Sequence, residues 1–299
     1  MENGVVIAGI ARTPMGGMQG VFSNITAPKL GAAAIKAALE RSGIKPEAVD
    51  ETIMGVVLPA GLGQAPARQA SIDAGLPLAT GCTTINKMCG SGMKAVMQGH
   101  DAIIAGSSNV VVAGGMENMT NAPYLLPKAR GGMRLGHGEV LDHMFFDGLE
   151  DAYERGRLMG TYAEDCARKY QFSRQAQDDY AITSLMRAQS AINNGEFKAE
   201  IVPVTVREGR GETIVDTDEQ PGKAKLDKIP LLKPAFAKNG TVTAANSSSI
   251  SDGAAAVILT SAQHAKTLGV KPLARILGHS THAQEPGWFT TAPVSAIGK

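Results

Sequence analysis

Between residues 5 and 113, four short apolar runs alternate with three segments of helical spacing, and this alternation restricts the fold more than any other feature of the chain. Val5 to Ile10, Thr52 to Leu58, Thr80 to Ile85 and Asn109 to Ala113 have the length and apolar content of buried strands. Ala27 to Ser42, Gln64 to Ala74 and Met93 to Ala105 read as helices. In the first of these, Leu30, Ala34, Ala37 and Ala38 recur on one face, and Gly43 supplies the stop. Strands separated by helices connect through crossovers, which implies an α/β fold with a largely parallel sheet covered on both faces.

Composition agrees with close packing of small residues. Of the 299 residues, 43% are hydrophobic but only 4% aromatic, and 35 are glycine, a mixture suited to helices and strands that approach closely. A net charge of +1 offers no electrostatic footprint for nucleic acid or an anionic membrane surface, so neither is expected as a partner. The three cysteines, Cys82, Cys89 and Cys166, show no CxxC pairing, so neither a disulfide framework nor a structural metal site is expected. A reducing compartment, the cytoplasm, is the expected location. The first residues carry no secretory signal, and no apolar run is long enough to span a bilayer.

From about Met116 to Asp151 the regular alternation gives way to Pro, Gly, Met, His and charged residues, the mark of an excursion from the sheet. Thr161 to Tyr170 and Ser173 to Asn194 read as helices. Ile201 to Arg207 and Glu212 to Asp216 read as a hairpin around Glu208-Gly209-Arg210-Gly211. Ala254 to Thr260 is again a buried apolar run, followed by a helix over Ala262 to Leu268 and a strand over Leu273 to Gly278. That last strand has no evident sheet of its own, and Glu285 to Lys299 reads as loop. The chain therefore reads as stopping inside a domain.

Cys89 stands between the strand ending near Asn86 and the helix after Gly90-Ser91-Gly92. Free amides and the positive end of the helix dipole favour a thiolate there, and a thiolate attacks carbonyl carbon. The neighbouring glycines allow close approach of backbone and substrate to the sulfur. The alternative reading is a buried cysteine acting as a small hydrophobe.

The segment INKMCGSGMKAV, Ile85 to Val96, resembles the nucleophile motif of the thiolase family, and further motifs follow in family order. They are Ala11-Arg12-Thr13-Pro14, Val112 to Met119, Met159 to Glu164, Asn239 to Ser248 and Ser251 to Ala255. The resemblance implies a layered αβαβα fold of two similar halves with an inserted coenzyme A-binding loop domain. Mapped onto this chain, residues 1–116 form the N-terminal core, 117–248 the insertion, 249–271 the return to the core, and 272–299 the start of a C-terminal domain.

The implied chemistry is acyl exchange through an acetyl-Cys89 intermediate, forming acetoacetyl-CoA from two acetyl-CoA or cleaving it with CoA. CoA thioesters are the substrates and no resident cofactor is implied. The resemblance gives the Cys89 backbone N–H a place in an oxyanion hole. It puts Leu149 and Met159 at the pantetheine or acyl pocket, Ala244 and Ser248 on the pantetheine amide, and Phe236 near the adenine. Without it, Leu149 and Met159 read equally as core, and Ser248 as a turn residue. The family's activating histidine, second cysteine and asparagine motif have no counterpart here. Leu158 replaces a common histidine and Ser249 a glycine, and Lys223 and Lys225 stand where an arginine near the adenine is common; Lys223 is the expected CoA contact, able to screen phosphate charge but lacking the planar fork. A chain without those catalytic groups is expected to be inactive alone. The competing readings are an acyl-CoA-binding protein, or a split-enzyme subunit completed by a partner. Assembly as a dimer or tetramer of identical chains is also implied, with Met133, His137, Met144, Phe145 and Phe146 as candidate contacts or, equally, as an apolar cluster packed within the chain.

Overall fold

The computed structural model describes residues 4–209 and 211–299. The first part runs β1 (Val5–Arg12), β2 (Gly16–Gly17), α1 (Ala27–Ser42), β3 (Glu51–Gly55), α2 (Pro66–Asp73), β4 (Gly81–Ile85), α3 (Ser91–Ala105) and β5 (Val110–Asn118). The excursion holds β6 (Tyr124–Leu125), β7 (Leu141–Asp142), a π-helical turn (Phe145–Leu149), α4 (Met159–Lys169), α5 (Arg174–Asn193), β8 (Val204–Glu208), β9 (Gly211–Val215) and α6 (Glu219–Lys223). The return consists of β10 (Ser251–Ser261), α7 (Ala262–Leu268), β11 (Ala274–Arg275) and α8 (Ala292–Gly298). Arg210, in the turn of the expected hairpin, lies outside the described residues.

The main sheet has the order β11-β1-β10-β5-β3-β4, with β2 beside β10. Parallel pairing holds for β3 with β4 and β5, where helical crossovers join the strands. β10 is antiparallel to both neighbours for a topological reason: Asp252 at its start lies opposite Asn118 at the end of β5. The excursion leaves and re-enters at the same end of the sheet, so the returning strand must run back.

Local signals were well placed. Gly43, at φ 72°, closes α1, and the Ser173 hydroxyl accepts the Ala176 N–H to cap α5. Successive residues of β5 face opposite sides, as the pleat requires. Val110 and Val112 join Leu30, Ile35 and Ala38 under α1 and α2, while Val111 and Ala113 meet Ala95 and Ile103 of α3. These are the first three layers of the implied αβαβα stack.

Three expectations change. β5 does not end at Gly114-Gly115 but runs through them to Asn118, because a Cβ at Gly114 would lie 2.1 Å from the Ala255 carbonyl oxygen. The glycines permit strand contact there rather than a turn. The strand at Leu273–Gly278 contracts to Ala274–Arg275 and finds its partner in β1, with Leu273 N–H donating to Ile7 O and Ile276 N–H to Val5 O. Residues beyond Glu285 are not loop throughout: Pro286–Thr291 forms a 3-10 turn that leads into α8.

The excursion also leans on the core. Val204, Val206 and Val215 of the β8–β9 hairpin are buried in the same cluster as α1. Arg12 reaches across from β1, its Nε donating to Glu200 (2.6 Å) and its Nη1 to Asp218 (2.7 Å). The Ala-Arg-Thr-Pro motif thus works as a tether as well as a strand end. Of the candidate intermolecular contacts, Met144 takes the alternative and is buried within the chain, whereas Met133 and Phe145 remain exposed.

Candidate active site

The loop 86–90 between β4 and α3 is built as a set of nested turns. Asn86 Oδ1 accepts the Met88 N–H (2.8 Å), Gly90 N–H donates to Lys87 O (3.1 Å), and Ser91 N–H donates to Met88 O (2.9 Å). Ser91 Oγ pins the loop from inside, accepting the Lys87 N–H at 2.8 Å and donating to Met88 O at 2.5 Å. Met88 is held at φ 48°, a left-handed conformation that costs a residue with a Cβ roughly 1–2 kcal/mol. These bonds sustain it, and Cys89 follows directly.

Cys89 is exposed, which removes the alternative of a buried small hydrophobe. Its thiol has no hydrogen-bond partner among the described residues, and it precedes the first turn of a helix whose early N–H groups face outward along the axis. Gly92 also has a packing role. A Cβ at Gly92 would make ordinary contact with Gly114 and Gly115, so Gly92 faces the sheet rather than the sulfur. The closest approach is at Gly55, where a Cβ would lie 2.5 Å from Ser91 Cβ and 2.8 Å from Gly92 N. Gly55 ends β3, and nothing in its local sequence pattern distinguishes it from other strand-terminal glycines.

A carboxylate supports the loop from behind. Glu117 Oε2 and Oε1 accept the N–H groups of Val57 (2.8 Å) and Leu58 (3.1 Å), and Asn86 Nδ2 donates to Val57 O (3.3 Å). Glu117 was visible only as part of a motif, since its partners are backbone groups sixty residues away. Burial pushes its carboxyl above the usual range, against the lowering pull of the Val57 and Leu58 N–H groups. Burial likewise raises Asp252.

A folded value above the unfolded one gives a contribution present in full below the unfolded value, about 4.3 for Glu, and lost as pH rises through the folded value. We therefore expect Glu117→Gln to gain stability relative to the parent as pH rises across that window. Urea midpoints at stepped pH check this, and a pH-independent difference between the two proteins is the contrary result.

The excursion brings most of the other expected residues together. Gly148 packs near Leu58, where a Cβ would lie 3.4 Å from Leu58 Cδ2, so the turn bearing Leu149 sits beside the segment that braces Asn86. Glu150 and Leu158 pair as an antiparallel bridge, which sets Leu149 and Met159 as flanking neighbours. Phe236 lies against the start of α4; a Cβ at Gly160 would stand 2.4 Å from its ring. The Ala235 N–H donates to Val242 O (2.9 Å), joining Phe236 to the turn that carries Ala244.

That turn is anchored by groups sequence reasoning missed. Buried Glu164 accepts the N–H groups of Thr241 (2.9 Å) and Val242 (2.8 Å), and Asn246 Nδ2 donates to Asp178 Oδ1 (3.0 Å) and Thr241 O (3.0 Å). Ala244 and Ser248 are exposed. Lys223 does not stand free for a phosphate: it pairs with Glu219, which also accepts the Gly17 and Val21 N–H groups. A separate concavity bounded by Tyr153, Arg157, Tyr162 and Trp288 includes none of these residues, so the site is assigned from the geometry around Cys89.

With this arrangement established, comparison with known proteins is decisive on family. Residues 5–263 match the family model for the thiolase N-terminal domain. The chain is 53% identical over 298 residues to acetyl-CoA acetyltransferase 2 of Arabidopsis thaliana, covering 99% of this chain and 74% of that protein. It is 50% identical over 294 residues to an acetyl-CoA acetyltransferase of Cupriavidus necator, covering 98% and 75%. A crystal structure of Acat5 thiolase from Ascaris suum in complex with coenzyme A aligns with a TM-score of 0.93 at 40% identity, over 99% of this chain and 75% of that one. The chain belongs to the thiolase family. It is an acyltransferase of that family, and it spans about three quarters of the length of these relatives.

Proposed function

We propose that the chain accepts an acetyl group from acetyl-CoA on Cys89, the first half of a thiolase exchange whose second half, transfer to a second acetyl-CoA to form acetoacetyl-CoA or the reverse thiolysis, needs acid–base groups besides Cys89. The observation that carries this reading is the exposed, unpartnered thiol of Cys89 on a strained turn at the start of α3. In the first step the sulfur bonds to the thioester carbonyl carbon and CoA leaves as its thiolate, a near-balanced exchange of one thioester for another. Negative charge developing on the carbonyl oxygen meets the Cys89 backbone N–H.

CoA lies, in this proposal, along the line from the 86–90 loop past Leu149 and Met159 to Phe236, with Ala244 and Ser248 at the pantetheine amides. The name of the Ascaris suum structure, a thiolase with coenzyme A, supports such a ligand. Lys223 contributes to phosphate binding only by exchanging its Glu219 partner. A cytoplasmic, self-associating enzyme without a resident cofactor completes the proposal. The unpaired cysteines and the open edge of β4 support the location and the assembly.

Phe236→Ala is expected to weaken CoA binding by roughly tenfold, the loss of one aromatic stacking contact. Isothermal titration reads it, with circular dichroism as the folding control. An unchanged Kd removes Phe236 from the site. For the 299-residue polypeptide we expect acylation without acetoacetyl-CoA formation, because no histidine or second cysteine hydrogen-bonds the Cys89 thiol among the described residues. Each missing acid–base group is worth about 10²- to 10⁴-fold. Multiple turnover by this polypeptide is the opposing outcome.

A further inference from the structure

His100 and Asp101 occupy successive positions on α3, and His279 lies 178 residues further along, just past β11. The fold brings all three to one point. Asp101 Oδ1 is 3.1 Å from His100 Nδ1 and 2.8 Å from His279 Nε2, and the three ligand atoms lie within 4.8 Å of one another. The imidazoles meet edge to face, with ring centroids 4.9 Å apart. Their side chains are only 18% and 26% exposed, while Asp101 at 56% opens the cluster to solvent. The hydrogen bond from His100, aided by His279, holds the Asp101 carboxyl below its usual range.

Two imidazole nitrogens and one carboxylate oxygen converging from two chain segments form the donor set of an open four-coordinate site, with water as the fourth ligand. Bonds of about 2.0–2.1 Å in a tetrahedron separate neighbouring ligand atoms by about 3.3 Å. The two short contacts therefore need to open slightly, and rotation of one ring closes the third. Nitrogen donors select a borderline transition metal over magnesium or calcium.

We propose that His100, Asp101 and His279 bind one zinc-class divalent ion that clamps the segment after β11 onto α3. Neither histidine nor Asp101 takes part in the acyl-transfer reading, so the two stand or fall separately. His279 and its sequence neighbour His282 alone are too few for a site; the other two ligands lie on a helix far away in the chain.

The test uses the tag-free 299-residue chain with its thiols alkylated, so that cysteine cannot contribute. Cobalt(II) and zinc(II) titrations are expected to give one saturable equivalent, with visible cobalt bands and no thiolate charge-transfer band. His279→Ala and His100→Gln should each weaken binding by at least about tenfold with unchanged circular dichroism. Asp101→Asn repeats the test at the most exposed ligand, guarding against a variant that misfolds. Absence of saturable binding, or binding that survives any one of these substitutions, overturns the site.

Discussion

Replacing Cys89 by serine abolishes the acetyl adduct that the parent chain acquires from acetyl-CoA. The expectation rests on position: the thiol is exposed, lacks a hydrogen-bond partner among the described residues, and follows a Met88 held in the left-handed region. A hydroxyl at the same place keeps the geometry but is far less ionised and a poorer nucleophile, so acylation should fall by roughly three orders of magnitude or more. Intact mass after incubation reads the adduct directly. Cys82→Ser and Cys166→Ser are the controls; both residues are half-buried, and Cys82 already donates to Thr80 O. Those two variants should acetylate like the parent. An adduct that persists on Cys89→Ser, or that vanishes with Cys82 or Cys166 instead, would falsify the assignment.

The fold was legible where a local cause sets the local structure. α1 runs from Ala27 to Ser42 as its spacing and Gly43 dictate, and Ser173 caps α5, because helix ends are decided by one or two residues. Strand ends were less legible. Gly114-Gly115 looks like a turn in isolation, but Gly114 answers the crowding of β10 and Gly115 the approach of Gly92 on α3, and no local pattern records either. The pairing of β11 with β1 joins residues more than 260 positions apart and was equally invisible.

The same division runs through the site. The strand–cysteine–helix setting of Cys89 was legible because that pattern is local, whereas Leu149, Met159 and Phe236 were singled out through the family resemblance alone. Glu117, Glu164 and Asp178 were not, although each fixes a backbone segment on which the site depends. Their partners are N–H groups and an amide contributed from elsewhere in the chain, and a backbone N–H leaves no trace in residue identity. Lys223 shows a competing partner that its position in the sequence does not reveal: Glu219, four residues earlier in the same helix, pairs with it.

Gly55→Ala is the packing change with the largest expected consequence for the site. The added Cβ would lie 2.5 Å from Ser91 Cβ, 2.6 Å from Ser91 C and 2.8 Å from Gly92 N, and two of those three atoms are backbone. No rotamer change relieves that contact, so the first turn of α3 must lift. The rest of the helix cannot follow freely, because Gly99 holds it against Leu259 and Val111, where even a Cβ would come within 3.0 Å. Overpacking of this kind costs about 1–3 kcal/mol. Lifting the turn also disturbs Ser91 Oγ, which binds Lys87 N and Met88 O, and through them the position of Cys89. Two readouts should therefore move together: a lower urea midpoint and an acylation rate reduced by about tenfold or more under conditions where the variant is still folded. Gly222→Ala, with open space around its Cβ position, should change neither. If Gly55→Ala lost stability but acetylated at the parent's rate, α3 would be packed through Gly55 without Cys89 depending on that packing, and the link drawn from sheet to sulfur would be broken.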